Sequence, residues 1–294
     1  MVLPQSSPQN RLVGALYIVL SATGFGAMAI FAKLAYASGV GVATLLFLRF
    51  ALGGLALAGL MVWSRLAWPR GRDLLILVAM GAVGYFGQAW CYFTALQHAS
   101  AGLVALLLYL YPALVAFLAA LSGRQRLGRR RLLAVLGSFV GLALTLGHGM
   151  AGSAVGIGLG MGAAAIYAVY ILVGEGVTAR RGAVPSSTVI MLAAALAYGA
   201  LMAREGVAWP GTPAGWSAVA GIALLSTVVA MIGFFAGMQR LGAADAATLS
   251  TLEPVVTLLL AAVFLGEDVG LMQALGGGVI LASVVVLARS GRSV

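Results

Sequence analysis

The chain has 294 residues, of which 62% are apolar and only 8% charged, and its formal net charge is +10. Soluble domains are about 45–50% apolar and about 25% charged, so the seventeen basic and seven acidic side chains here are too few to coat a water-soluble globule of this size. Cytosolic enzymes, nucleic-acid binders and disordered proteins are excluded as classes, and the lipid bilayer becomes the expected partner.

Runs of about 20 apolar residues cross a hydrocarbon core of about 30 Å, and the sequence holds ten such runs. The first, Leu12–Ala37, follows Arg11 and ends at Ala35-Tyr36-Ala37 in the manner of a secretory signal. It exceeds the about 7–15 residues of a signal core and is read as a span. Lys33 lies near its far end, where lysine snorkels or meets a substrate carboxylate or a gate partner. The second, Val42–Trp63, carries Arg49 well inside, placed either to hold a carboxylate or to pair with Glu253 or a helix carbonyl. The third, Leu74–Leu96, bears two aromatic stripes, one of Phe86, Trp90 and Phe93 and one of Tyr85, Gln88 and Tyr92. One stripe is expected to face inward, where aromatic walls bind apolar, aromatic or cationic solutes.

The fourth span, Ala101–Leu121, contains Tyr109, Tyr111 and Pro112, and the fifth, Leu132–Leu146, is short. Gly137 and Gly141 in the fifth, and Gly156, Gly158, Gly160 and Gly162 in the sixth, Ala154–Gly174, have the spacing that permits close helix approach. Pro185–Ala203 and Ala214–Met238 follow. The ninth, Ala244–Leu265, holds Glu253 roughly 12 Å deep at 1.5 Å per residue, deeper than any other acid in the chain. Ionisable groups at such depth face a cavity or a partner, and Ser250, Glu253 and Thr257 share one helical stripe. Pro112 and Pro254 each remove a helical hydrogen bond and act as hinges or as fixed bends. The tenth span is Gly270–Ala288.

The single cysteine, Cys91, allows no internal disulfide, and His98 and His148 lack acidic or thiol neighbours at ligand spacing, so neither a metal nor a cofactor is expected. The one lysine, Lys33, follows Ala32, so no phosphate-binding loop can be written. Cytoplasmic loops accumulate arginine. With a cytoplasmic N-terminus, Arg11, Arg65, Arg70, Arg72, Arg124, Arg126, Arg129, Arg130, Arg131, Arg180, Arg181, Arg240, Arg289 and Arg292 fall inside, and Arg204 alone lies in an outer loop. The positive charge is then topology, both termini are cytoplasmic, and no nucleic-acid partner is needed.

Sliding the chain along itself until Ala95 meets Gly237 aligns Ala95–Pro112 with Gly237–Pro254 without a gap, matching Gln97 to Gln239 and Pro112 to Pro254. Five spans per half make the second half enter the membrane from the opposite side. The expected architecture is an all-α polytopic membrane protein of ten helices in two inverted repeats, residues 1–149 and 150–294, with the substrate site between them.

The segment from Thr251-Leu-Glu-Pro-Val-Val through Leu265-Gly-Glu267 and Gln273-Ala-Leu-Gly-Gly277, with Leu45-Leu-Phe-Leu-Arg-Phe50 and Tyr109-Leu-Tyr-Pro112, resembles the drug/metabolite transporter superfamily, in particular its ten-span EamA-type members. The chain departs from that pattern where Gly123 is followed by Arg124 rather than by an acid. The resemblance, strongest to exporters of aromatic amino acids, implies a bacterial inner-membrane carrier that exports small metabolites by alternating access. The candidate substrate contacts are Trp90, Tyr85, Tyr111, Gln88, Ser250, Glu253, Thr257, Lys33 and Arg49, with Pro112 and Pro254 as hinges and no catalytic or metal-binding residue. A multidrug or quaternary-cation exporter is the first alternative and a lipid-modifying membrane enzyme the second. Oligomeric state is left open.

Overall fold

The computed structural model describes residues 8–122, 128–146 and 152–290. Arg124, Arg126, His148, Arg292 and the expected boundary between residues 149 and 150 lie outside them. Every named element among the described residues is helical, because a backbone without access to water must satisfy its own polar groups. In chain order they are α1 (Pro8–Gly26), α2 (Met28–Ala37), α3 (Val42–Trp63), α4 (Arg72–Ala79), a first π segment (Met80–Tyr85), α5 (Phe86–His98), α6 (Ala101–Leu108), α7 (Tyr111–Leu121) and α8 (Arg129–Leu146). They continue as α9 (Ala154–Arg181), α10 (Ala183–Glu205), α11 (Pro213–Ala220), a second π segment (Gly221–Val229), α12 (Ala230–Leu241), α13 (Ala243–Ser250), α14 (Leu252–Leu265) and α15 (Leu271–Ser290). Ser100, Ser153 and Thr212 cap α6, α9 and α11, each side-chain oxygen accepting a backbone N–H of the first turn.

Among the described residues nine stretches are long and apolar enough to cross a bilayer, not the ten expected. The difference is α8. Its first turn is Arg129-Arg130-Arg131, and the remaining Leu132–Leu146 spans about 22 Å at 1.5 Å per residue, short of a full hydrocarbon core. This helix lies along α15, with Gly141 closely approached by the Gly276 carbonyl and Ile280.

Two kinds of helix interruption recur at matched places, although the break at Ala27 between α1 and α2 has no counterpart in the continuous α9. Pro112 has no N–H for the Leu108 carbonyl and Pro254 none for the Ser250 carbonyl, and the chain breaks between α6 and α7 at Tyr109-Leu110 and between α13 and α14 at Thr251. The shift that carries Ala95 onto Gly237 also carries Tyr109 onto Thr251, and it lays the first π segment inside the second. Neighbour relations repeat as well. α3 runs along α10, while α1 packs on α12 and α9 on α5, which is one relation occurring twice under that shift. Small residues set these approaches: Gly237 meets Ile18 and the Gly14 carbonyl, and Gly156 meets the His98 backbone. The largest buried cluster draws mainly on α2, α3, α5, α6 and α10 and includes the fully buried Phe50, Phe93, Leu103 and Tyr198.

Candidate functional site

The two helix breaks and the first π segment turn their side chains into one central space. Two adjoining cavities, about 120 and 280 Å³, share Phe25, Tyr85, Tyr109, Tyr111, Tyr167 and Glu253 as walls. The smaller adds Arg49, Gln88, Tyr92 and Phe93, and the larger adds Tyr170, Ser187, Met191, Met231, Phe234, Phe235 and Ser250, among others.

Tyr109 explains how the broken ninth span is tolerated. The Ser250 carbonyl, deprived of its donor by Pro254, accepts the Tyr109 hydroxyl at 2.6 Å. The same hydroxyl lies 3.1 Å from Glu253 Oε2. One phenolic proton serves only one of these acceptors at a time, so the Glu253 carboxylate retains unused acceptor capacity toward the cavity. Glu253 makes no ion pair with any described residue.

Arg49 is 3% exposed. Its Nε donates to Thr227 Oγ1 at 3.2 Å and its Nη2 to Tyr85 Oη at 3.4 Å. Guanidinium carries five N–H groups, and no further hydrogen bond or ion pair of Arg49 occurs among the described residues. The Phe50 and Phe93 ring centroids lie 4.9 and 5.2 Å from its Cζ, a cation–π setting that steadies the charge without neutralising it. A buried cation and an intramembrane carboxylate therefore face the same cavity, each with spare hydrogen-bonding capacity. Both are places where the repeats differ: the repeat shift carries Arg49 onto Met191 and Tyr111 onto Glu253.

Five tyrosines complete the wall. Tyr109, Tyr111, Tyr167, Tyr170 and Tyr85 follow one another in ring contact, with centroid separations of 6.0, 4.7, 5.9 and 5.6 Å. They offer flat apolar surface with hydroxyl edges.

Of the residues singled out from sequence, Tyr85, Gln88, Tyr111, Arg49, Ser250 and Glu253 line this space. The stripe of Tyr85, Gln88 and Tyr92 borders it, joined by Phe93. Trp90 stacks instead toward Tyr198, at 6.5 Å, outside the wall. Thr257 is buried, and its hydroxyl has two acceptors that share one proton, the Gly26 carbonyl of α1 at 3.0 Å and the Glu253 carbonyl of its own helix at 3.1 Å. Lys33 is far along the bundle, 3.5 Å from Glu267. The pairing of Arg49 with Glu253 is not formed. Tyr167 and Tyr170 are not singled out by the sequence, although they are the repeat equivalents of Phe25 and Met28, which line the two adjoining cavities with them. Applying the repeat shift to Phe25 finds Tyr167, whereas Tyr170 has no aromatic counterpart to signal it.

The EamA-like transporter family matches residues 12–147 and again residues 154–289, two matches related by that same shift. The chain belongs to the EamA-like transporter family. It is 28% identical over 289 residues to the uncharacterized transporter YcbK of Bacillus subtilis (strain 168), covering 93% of this chain and 92% of that one. It is 30% identical over 250 residues to the threonine/homoserine exporter RhtA of Escherichia coli (strain K12), covering 83% and 81%. A solved crystal structure shares the fold with a TM-score of 0.66 at 22% identity, over 97% of this chain and 99% of that one. The family relation, with nine apolar helices of spanning length among the described residues, makes this a multi-pass membrane transporter.

Proposed function

We propose that this transporter exports neutral amino acids as zwitterions, by alternating access across a bacterial inner membrane. The observation that carries the reading is the juxtaposition of Arg49 and Glu253 in one cavity without an ion pair to either. A zwitterion satisfies both, its carboxylate on Arg49 and its ammonium on Glu253. The Tyr111, Tyr167 and Tyr170 rings with Phe234 and Phe235 offer an aromatic or apolar side chain a matching surface. The likeness to an amino-acid exporter named for threonine and homoserine supports the substrate class.

In this reading α8 is the tenth span and the chain consists of two inverted five-helix repeats, residues 1–149 and 150–294. The doubled family match, the matched helix breaks and the matched π segments support that symmetry. The arginine distribution supports cytoplasmic termini, so the Lys33–Glu267 end faces outward and Pro112 and Pro254 are hinges of the exchange.

The test is uptake of labelled phenylalanine, tryptophan, threonine and a quaternary cation into proteoliposomes. Saturable amino-acid flux is expected, with Arg49→Met and Glu253→Gln each weakening it by about 10–100-fold, the range of a hydrogen bond to a charged group. Flux of the cation alone would overturn the proposal. One observation favours that second reading: Glu253 is not neutralised by Arg49 and is flanked by tyrosine rings, a setting that also attracts organic cations. Loss of cation flux in Glu253→Gln with amino-acid flux spared would decide for it.

A further inference from the structure

Both hydrogen bonds that hold Arg49 come from residues at the two π segments. Tyr85 is the last residue of the first, and Thr227 lies near the end of the second. The shift that relates the two family matches carries one onto the other. A single guanidinium is thus gripped by the same position of both halves.

The chemistry of Thr227 is specific. Its hydroxyl donates to the Ile222 carbonyl, five residues back, at 2.8 Å, following the wider spacing of a π turn. That commits its only proton and leaves its oxygen as an acceptor toward Arg49 Nε. Thr227 is 1% exposed and forms no part of the cavity wall, so any effect it has on a substrate passes through Arg49. With Nε held by Thr227 and one Nη2 hydrogen by Tyr85, rotation of the guanidinium about its stem is restrained, and its remaining N–H groups keep one orientation.

We propose that Thr227 and Tyr85 are a matched pair of positioning residues that aim Arg49 at a substrate carboxylate, and that the π segments exist to bring them there. The proposal rests on the reading of Arg49 as the carboxylate site. It makes Thr227 a determinant of selectivity for carboxylate-bearing over carboxylate-free ligands, although it touches neither.

The experiment compares Thr227→Val, which keeps the shape and removes the acceptor, with Thr227→Ser, which restores it. Phenylalanine transport in proteoliposomes gives KM and maximal rate, and competition by phenethylamine, the same molecule without its carboxylate, gives the control. Thr227→Val is expected to raise the KM for phenylalanine by about ten-fold, to change the maximal rate less, and to leave inhibition by phenethylamine unaltered. Thr227→Ser should return the KM to that of the parent. Tyr85→Phe, which keeps the ring and removes the hydroxyl, should produce the same carboxylate-selective loss, and because Tyr85 also lines the cavity, Thr227→Ala serves if Thr227→Val does not fold. An unchanged KM in these variants, or equal weakening of phenylalanine and phenethylamine, would overturn the proposal. Arg49→Met separates the two levels. If it leaves phenylalanine affinity intact, the carboxylate reading itself falls; if it abolishes affinity while Thr227→Val does not alter it, only the positioning role falls.

Discussion

The two ends of the bundle are joined across its halves by different kinds of contact. At the Lys33 end the Glu267 carboxylate accepts the N–H groups of Ala101 at 2.7 Å and Gly102 at 3.2 Å while pairing with Lys33 at 3.5 Å. Backbone bonds add to it: Gly211 donates to Ser38 at 2.8 Å, Gly41 to Ala208 at 3.2 Å and Ser153 to His98 at 2.9 Å. At the Asp73 end ion pairs between side chains link the halves: Asp73 meets Arg180 at 2.8 Å and Arg181 at 2.6 Å, and Arg11 meets Asp245 at 3.5 Å. The Lys33 and Glu267 side chains are 26% and 17% exposed; Arg180 and Arg181 are 59% and 42% exposed around an Asp73 that is 13% exposed.

The contrast falls on equivalent positions. The repeat shift relates Asp73 to Gly215 and Ser38 to Arg180, and Gly215 lies directly against Ser38. One junction is ionic, with exposed arginines around Asp73, and the other is close-packed with no room for a side chain. Exposed charges exchange partners with water at little cost and are screened by salt, whereas a helix N-terminus capped by a partly buried carboxylate loses satisfied donors when it opens. The Lys33 end should therefore be the harder to part.

The largest effect that would break this comparison is expected from Glu267→Ala. Two N–H groups of α6 lose a charged acceptor and Lys33 loses its partner, so stability should fall by about 3 kcal/mol, read as a lowered thermal midpoint in detergent; an unchanged midpoint would mean that this junction is not the strong one. Gly215→Ala drives a methyl into Ser38 and Pro210, and overpacking of this kind costs about 1–3 kcal/mol, so the same assay should register about 2 kcal/mol. Lys33→Met removes a partly exposed ion pair and should cost less than about 1 kcal/mol, with the Glu267 cap intact. Asp73→Asn should have the smallest effect. Its difference from the parent should vanish as salt is raised toward about 1 M, where the screening length is about 3 Å, and a salt-independent loss would contradict the ionic description of that end.

Several of these features are legible in the sequence. Val42–Trp63 and Ala101–Leu121 are bounded correctly there because a helix in lipid must stay apolar until the chain can reach water. Pro112 and Pro254 announce the two breaks because the missing N–H acts locally. The π segments are not legible: nothing in Met80–Tyr85 or Gly221–Val229 lacks a donor, and the widened turns appear only where neighbouring helices accept them. The inward stripe of the third span is equally hidden, since its apolar residues occupy both faces and periodicity loses its contrast when lipid replaces water outside. For Lys33 and Trp90 the sequence supplies the chemistry but not the neighbours, and depth along the bundle and rotation about the helix axis set them beside Glu267 and Tyr198.

The sequence by itself determined that the chain lives in lipid, that its second half repeats its first, and that a rare arginine and a rare glutamate lie deep in its spans. These follow from local composition and from the cost of placing charge in hydrocarbon. Only the tertiary structure decided that Arg49 and Glu253 share a cavity without pairing, that Thr227 and Tyr85 hold the arginine from opposite halves, and that five tyrosines close the wall. Those are relations between residues far apart in the chain, and helix packing, not local propensity, sets the distances between them.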